Sequence, residues 1–258
     1  MSFSEELKRL ESERKWFDMT EHIKRGVVNS LSDADLDFSL DILSRNAVKI
    51  HPMSLTSAIV ALFSYISPEK ASSIIQTAIS TLESSFVSQS SYFQEIATLR
   101  LHFYIASIKQ KNFENIESQI IALKDAALSN DNLNLLYLVA ALFYESTGNC
   151  EEAQSYLFLH AKQTGAVYNI EKLVELSIKS STFFDFSAVS AFKEFDGLSN
   201  APLRNLFLCL SDGDISSINT KDIFNILKTN NVDQLTTKVH LLNIIKICFK
   251  SEQKVRYL

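Results

Sequence analysis

The sequence has 258 residues, of which 46% are hydrophobic, and it contains only five glycines and three prolines. A chain of this length buries a sizeable core, and so few turn-forming residues exclude a protein built from many short strands. The net charge is −5, and the lysines and arginines form no clustered stripe, which argues against a nucleic-acid-binding surface. These properties predict an all-α protein.

The sequence carries no recognisable targeting signal. Its first residues are charged and contain no apolar leader segment. The longest uninterrupted apolar run, 135–143, is far shorter than the roughly 20 residues of a membrane span. Cys150, Cys209 and Cys248 are widely spaced among apolar neighbours, as is typical of reduced core cysteines. We therefore expect a protein of the cytoplasm and nucleus that does not bind membranes.

Start signals and helical spacing predict a series of helices from the N-terminus onward. Ser4 is predicted to begin the first helix, Ser32 and Ser54 to cap two later ones, and Pro68 to occupy the first position of the next. The pattern predicts a loop over 84–91 and helices over 92–108, 113–128, 170–179, 186–195, 202–210, 221–228 and 232–249.

Three alternate aspartates, Asp33, Asp35 and Asp37, invite a calcium-site interpretation. An EF-hand loop requires glycine where Phe38 stands and glutamate where Ser44 stands. The aspartates are instead predicted to lie in the first turn of a helix, where acidic side chains oppose the positive end of the dipole.

The clearest pattern is a helical hairpin over residues 137–165. Six of its residues stand at the spacing of a tetratricopeptide-type (TPR) repeat: Tyr137, Ala141, Tyr144, Gly148, Ala153 and Leu157. The two alanines allow the helices to approach closely, and the larger side chains fill the space beside them. Gly148 is predicted to end the first helix in a left-handed conformation. An ordinary antiparallel helix pair remains open as an interpretation of this segment alone.

The last predicted helix, 232–249, is apolar almost all round. A helix with this pattern must be covered on several sides, either by its own chain or by a partner. The candidate partner interface consists of four residues: Leu241, Leu242, Ile245 and Phe249.

The residues of known catalytic motifs do not occur at the required spacings. The glycines lie too far apart for a Walker A loop, a dinucleotide-binding fingerprint or a nucleophile elbow. The five histidines are isolated, and no histidine or cysteine stands at the spacing of zinc ligands. The sequence therefore predicts a protein that is not an enzyme, with no catalytic, cofactor-binding or metal-binding residues and no cofactor.

Six segments occur in an order that resembles a known family. They are Lys15-Trp16-Phe17, AVKIHPMSLTSAIV at 47–60, the hairpin ending in YESTGN, FFDFSAVSAF at 183–192, LFLCLSDGDISSI at 206–218 and TTKVHLLNIIKICF at 236–249. Together they are similar to the PCI-domain subunits of the 26S proteasome regulatory lid.

The resemblance implies a right-handed α-solenoid of TPR-like hairpins at 1–165, leading into the helical part of a PCI module at 166–258. It implies a non-catalytic subunit that scaffolds the lid for ubiquitin-dependent protein degradation. The implied partners are other lid subunits, namely the PCI-type neighbours and the deubiquitylating MPN-domain pair.

The family continues beyond the helix that corresponds to 232–249 into a winged helix and a further bundle helix, whereas this sequence ends at Leu258. We expect either a truncated chain or a naturally shortened subunit. In a shortened subunit, a neighbouring protein should bury the last helix.

Two other classes stay open. A PCI subunit of the COP9 signalosome or of translation initiation factor three would share the fold but not the neighbours. A TPR-like peptide-binding adaptor would need a groove with clustered basic, amide or aromatic side chains, and no such cluster is evident in the sequence.

Overall fold

The computed structural model describes residues 2–29, 31–85, 92–212, 237–242 and 244. Within these ranges the regular structure is helical throughout, which confirms the predicted all-α class. The chain divides into two compact units, residues 1–139 and 140–258. The sequence predicts a different kind of boundary, after Gly165, between the helical-repeat solenoid and the PCI-type domain. That boundary stays a prediction.

The first unit contains seven helices and most of an eighth. Their bounds are α1 (Phe3–Ser12), α2 (Trp16–Val28), α3 (Asp33–Asn46), α4 (Pro52–Phe63), α5 (Pro68–Ser85), α6 (Phe93–Lys109), α7 (Ile116–Lys124) and α8 (Asn130–Ser146). Aliphatic side chains at helical spacing form its core, including Leu7, Ile23, Leu43, Leu55, Leu62, Ile75 and Leu99. The spacing works because residues three and four apart share one face of a helix.

The second unit begins within α8 and contains shorter helices. Their bounds are α9 (Cys150–Thr164), α10 (Ile170–Lys179), α11 (Phe186–Ser190), a 3₁₀ helix (Lys193–Phe195) and α12 (Ala201–Asp212). Residues 237–242 are also helical. Within this unit α10 packs against α9, α11 and α12.

Helix starts agree with the sequence in some places and correct it in others. Ser32 accepts a hydrogen bond from the Asp35 N–H at 3.2 Å, which confirms its role as a cap. The first helix is capped two residues earlier than predicted, because Ser2 and Glu5 form a reciprocal capping box. Ser54 was the wrong cap for α4, since Pro52 already occupies the first turn there.

Two predicted helices are shorter than expected. The one predicted over 113–128 begins only at Ile116, because Asn115 has a left-handed backbone with φ of 58°. The one predicted over 186–195 is broken at Phe192, whose extended backbone separates α11 from the 3₁₀ helix. Apolar periodicity continues across both breaks, so the periodicity alone could not reveal them.

Phenylalanine rings fill much of the second unit. Successive neighbours lie 4.9–6.1 Å apart between ring centroids, mostly edge to face, in a set comprising Phe158, Phe183, Phe186, Phe192, Phe195 and Phe207. Such pairs add about 0.5–1.5 kcal/mol beyond the area they bury. The break at Phe192 is compatible with this packing because its ring still reaches Phe158, at 6.1 Å.

Several predictions fall outside the described residues. They are the helix over 221–228, most of the loop over 84–91, Cys248, and the parts of the last helix that include Ile245 and Phe249.

Candidate functional site

The hairpin predicted at 137–165 is formed by α8 and α9. Tyr144 of α8 stacks on Tyr156 of α9, with ring centroids 5.8 Å apart and ring planes 7° apart. Ala141, Ala153 and Leu157 are all buried, and Ala153 is completely inaccessible. Small residues are needed where helix backbones approach each other, so the burial of the two alanines is compatible with the predicted packing.

The turn of the hairpin combines an expected and an unexpected feature. Gly148 has φ of +83°, which confirms the left-handed conformation predicted for it. Asn149 then caps α9, because its side chain accepts the Glu152 N–H at 3.2 Å. The sixth predicted residue, Tyr137, is half-buried in the part of α8 that belongs to the first unit.

Glu151, in the first turn of α9, binds the segment that follows α10. Its Oε1 accepts hydrogen bonds from the N–H and the hydroxyl of Ser181, both at 2.7 Å, and its Oε2 accepts from the hydroxyls of Ser180 and Thr182. Burial acts to raise the pKa of Glu151, but these hydrogen bonds outweigh it and lower the pKa to about 2. An ionised Glu151 therefore joins α9 to residues 180–182.

Lys238 supplies donors to the open end of α10. Its Nζ donates to the carbonyl oxygens of Ser177, at 2.7 Å, and Ile178, at 3.4 Å, and also to that of Ser180. The last carbonyls of a helix have no partners within the helix, and its C-terminus attracts positive charge. One ammonium group thus satisfies both requirements and ties the segment 237–242 to α10.

The surroundings of Lys238 keep it in this role. Its Nζ lies 5.0 Å from the ring centroid of Phe186 and 5.7 Å from that of Phe184, and the residue is only 4% exposed. Burial lowers the pKa of Lys238 to about 8, and the negative charge of Glu151 opposes part of that shift. A pKa of about 8 leaves most of the amine protonated at neutral pH, in the form that donates to these carbonyls.

The predicted partner interface is only partly exposed. Leu241 is 43% exposed, whereas Leu242 is 5% exposed. Leu242 shares the buried side of its helix with Lys238 and Val239, so this chain already covers it, and the assignment of Leu242 to a partner surface needs correction. Ile244, which was not singled out, is 55% exposed. Leu241 and Ile244 therefore form the available apolar surface here, which we call the C-terminal apolar pair.

A second surface, in the first unit, joins residues that are distant in the sequence. An open groove of about 610 Å³ lies beside the first turns of α2 and α4, and we call it the basic groove. Its main lining residues are Arg14, Lys15, Trp16, Phe17, Lys49 and His51, and Asp18 and Ser54 complete it. Sequence reasoning found no cluster of basic and aromatic residues, and that reading was wrong, because the α3–α4 turn folds back onto the start of α2.

The side chains of the basic groove differ in how they are paired. Lys49 lies 5.5 Å from the ring centroid of Trp16, and its Nζ donates to the neutral amide oxygen of Asn46 at 3.1 Å. Lys15 forms an ion pair with Glu13 at 2.7 Å. Arg14 has a left-handed backbone, with φ of 56°, and is exposed. The groove thus carries more positive than negative charge in a chain of net charge −5.

The aspartates that suggested calcium have protein partners. Asp35 accepts hydrogen bonds from the hydroxyls of Ser4 and Ser32, and Asp37 forms an ion pair with Lys70. Among the described residues, no group of three histidine, cysteine or acidic side chains is arranged to hold a metal ion. Over the same part of the chain, no helix combines the length and the hydropathy of a bilayer span.

Comparison with models of known families and with curated proteins finds no match to this chain.

Proposed function

We propose that the protein is a non-catalytic helical scaffold of the PCI class, in which stacked TPR-like hairpins lead into the helical part of a PCI module. Within that class, the closest resemblance is to regulatory-particle non-ATPase subunit nine of the 26S proteasome. The proposed role is to scaffold assembly of the regulatory lid for ubiquitin-dependent protein degradation, in the cytoplasm and nucleus, with other lid subunits as partners.

The observation that carries this proposal is the order of six family-like segments along the chain. The described structure is compatible with their helical character. The Lys15-Trp16-Phe17 segment begins α2, residues 47–60 include the start of α4, and residues 183–192 include α11. Each of these segments includes the beginning of a helix.

Helix packing inside the first unit is compatible with a solenoid, and its right-handed sense is part of the proposal. In a solenoid of hairpins, each helix contacts the next one and the next but one. The contacts of α1 with α2 and α3, of α2 with α4, of α3 with α4 and α5, and of α4 with α5 and α6 follow this rule. The helical hairpin formed by α8 and α9 is a further TPR-like repeat in this proposal.

The C-terminal apolar pair supports a role in assembly. Leu241 and Ile244 expose apolar surface close to a segment that is held in place by Lys238. A rigidly held apolar surface suits a permanent contact with another protein, because little conformational entropy is lost on binding. We propose that a neighbouring lid subunit covers this pair.

Affinity purification from cells that express the tagged chain tests the proposal. We expect mass spectrometry to identify lid subunits in the purified material. On size exclusion, the tagged protein should migrate with a megadalton peptidase activity. Migration as a free chain of 29.1 kDa would contradict it. Recovery of signalosome or initiation-factor subunits instead would assign the chain to one of the other PCI complexes.

A pair of variants tests the assembly surface itself. We expect Leu241→Asp combined with Ile244→Asp to abolish recovery of lid subunits, because two charges would be buried in the contact. Tyr168→Asp is the matched control, since Tyr168 is an exposed apolar residue of the same unit, at 58%. Equal recovery with both variants would exclude the C-terminal apolar pair as the contact.

A further inference from the structure

The basic groove has a chemical character that the proposed scaffold role does not use. Of its three lysine and arginine side chains, Lys15 alone has a carboxylate partner in the described part of the chain, Glu13. Arg14 and Lys49 therefore present positive charge that no described carboxylate neutralises. Asp18 is the only acidic residue of the lining. An occupant with negative charge would complement this surface.

The helix ends at the groove favour the same sign of charge. Lys15 and His51 are the N-caps of α2 and α4, and neither side chain bonds to the first turn of its helix. Uncapped N–H groups and the positive end of the dipole both attract anions. This contribution adds to the side-chain charges and does not depend on them.

One apolar side chain is exposed in the groove, and two more exposed apolar residues adjoin lining residues in the sequence. Phe17 lines the groove and is 65% exposed, and Val48 and Met53, which adjoin lining residues in the sequence, are 63% and 62% exposed. Exposed aromatic and aliphatic residues beside cations are typical of protein-binding surfaces. The occupant should therefore combine acidic side chains with an apolar anchor.

A protein segment fits this surface better than a nucleic acid does. One face of Trp16 is covered by Lys49, whose Nζ lies 5.5 Å from the ring centroid, so less aromatic surface is left for a base to stack on. The basic residues are confined to one groove, whereas a nucleic-acid footprint extends along the backbone of its ligand.

We propose that the basic groove is a docking site for an acidic segment of a partner protein. The carboxylates of the bound segment pair with Arg14 and Lys49. An aromatic or aliphatic side chain of the same segment packs on Phe17. This surface lies within the first unit, and it does not depend on the assignment of the chain to the lid.

Selection from a phage-displayed random peptide library on the full-length chain tests the proposal. We expect the selected peptides to place aspartate or glutamate next to leucine, phenylalanine or tryptophan. Fluorescence anisotropy with a selected peptide should show an affinity that falls as salt rises. Failure to select any peptide, or selection of peptides without acidic residues, would overturn the proposal.

Variants locate the binding. We expect Arg14→Glu combined with Lys49→Glu to weaken peptide binding by about tenfold or more, and Phe17→Ser to weaken it less. Lys111→Glu is the control, because Lys111 is an exposed residue of the same unit that does not line the groove. Circular dichroism confirms that each variant folds. Equal effects of the groove and control variants would place the binding elsewhere.

Two further results distinguish this proposal from a nucleic-acid-binding site and from the proposed lid function. Tighter binding of a labelled oligouridine than of any selected peptide would overturn the choice of a protein segment. If the tagged chain carries lid subunits but the groove selects no acidic peptide, the docking site fails and the proposed function stands. The reverse result would keep the docking site and reject the lid assignment.

Discussion

The two units of the chain bury different polar groups between segments that are distant in the sequence. In the first unit, Thr20 and Ser39 donate to carbonyls within their own helix, and the neutral amide of Asn132 donates to the carbonyl and side-chain oxygens of Gln94, 38 residues earlier. In the second unit, Lys238 reaches back 58 to 61 residues, and Glu151 reaches forward 29 to 31. A neutral amide therefore joins distant segments of the first unit, whereas ionisable side chains join them in the second.

The largest expected effect comes from the apolar core of the first unit. Leu62→Ala removes a completely buried side chain, and we expect it to lower the free energy of unfolding by about 2–5 kcal/mol. Hydrogen exchange followed by mass spectrometry should show faster exchange in peptides of the first unit. Loss of protection confined to residues 140–212 would contradict the division into units.

A polar residue should be almost as important in the second unit. Lys238→Met keeps most of the side-chain volume but leaves the carbonyls of Ser177, Ile178 and Ser180 without their donor. We expect a loss of about 2–3 kcal/mol, because unsatisfied buried acceptors are costly. Urea denaturation measures it, and Lys193→Met, at an exposed lysine of the same unit, is the control. An equal midpoint for both variants would reject the tie between Lys238 and α10.

Overpacking tests the hairpin. Ala153 is completely buried, so Ala153→Leu should destabilise the second unit by about 1–3 kcal/mol. Ser155→Leu is the control, since Ser155 is an exposed residue of the same helix. An unchanged thermal melting curve for Ala153→Leu would show that the two helices do not meet at this position.

Acid should weaken the second unit through Glu151. The pKa of this carboxyl is about 2 in the folded chain and 4.5 ordinarily. Its contribution to stability is therefore fully present above about pH 5 and is lost as the pH falls towards 2. We expect Glu151→Gln to cost about 1–2 kcal/mol at neutral pH, and the difference from the unmodified chain to shrink below about pH 4. A difference independent of pH would show that the carboxylate charge is not involved.

The smallest expected effect is at the turn of the hairpin. A Cβ at Gly148 would meet no atom within 4 Å, so only its backbone conformation, with φ of +83°, opposes substitution. We expect Gly148→Ala to cost about 1 kcal/mol, and Gly148→Asn to cost less because asparagine tolerates this conformation. Calorimetric melting temperatures compare the two, and equal values would mean that the turn adopts another conformation in the variants.

Local features of the fold could be predicted from the sequence, and distant ones could not. Ser32 as a cap, Gly148 as a left-handed residue and the buried Ala153 all follow from neighbours within a few residues. Pro52 displaced Ser54 as the start of α4, because two valid start signals competed within one turn. The sequence gives no local sign that Phe192 interrupts a helix.

The candidate sites illustrate the same limit. The basic groove needs the α3–α4 turn to lie beside the start of α2, which no periodicity specifies. Lys238 stands within an apolar helix, and nothing in the residues next to it indicates that its ammonium group is buried. The apolar pattern did indicate that its helix is covered, but it could not tell that Leu242 is buried and that Leu241 is exposed.

The position of Lys238 affects how the chain can fold as the ribosome makes it. Domains fold from the N-terminus during synthesis. The first unit can therefore complete its core before Lys238, which donates to the carbonyls at the end of α10, has been synthesised. A nascent chain that stops before residue 238 would keep bare carbonyls at the end of α10, beside uncovered phenylalanines. The contact between residue 238 and α10 can therefore form only after most of the chain has been synthesised.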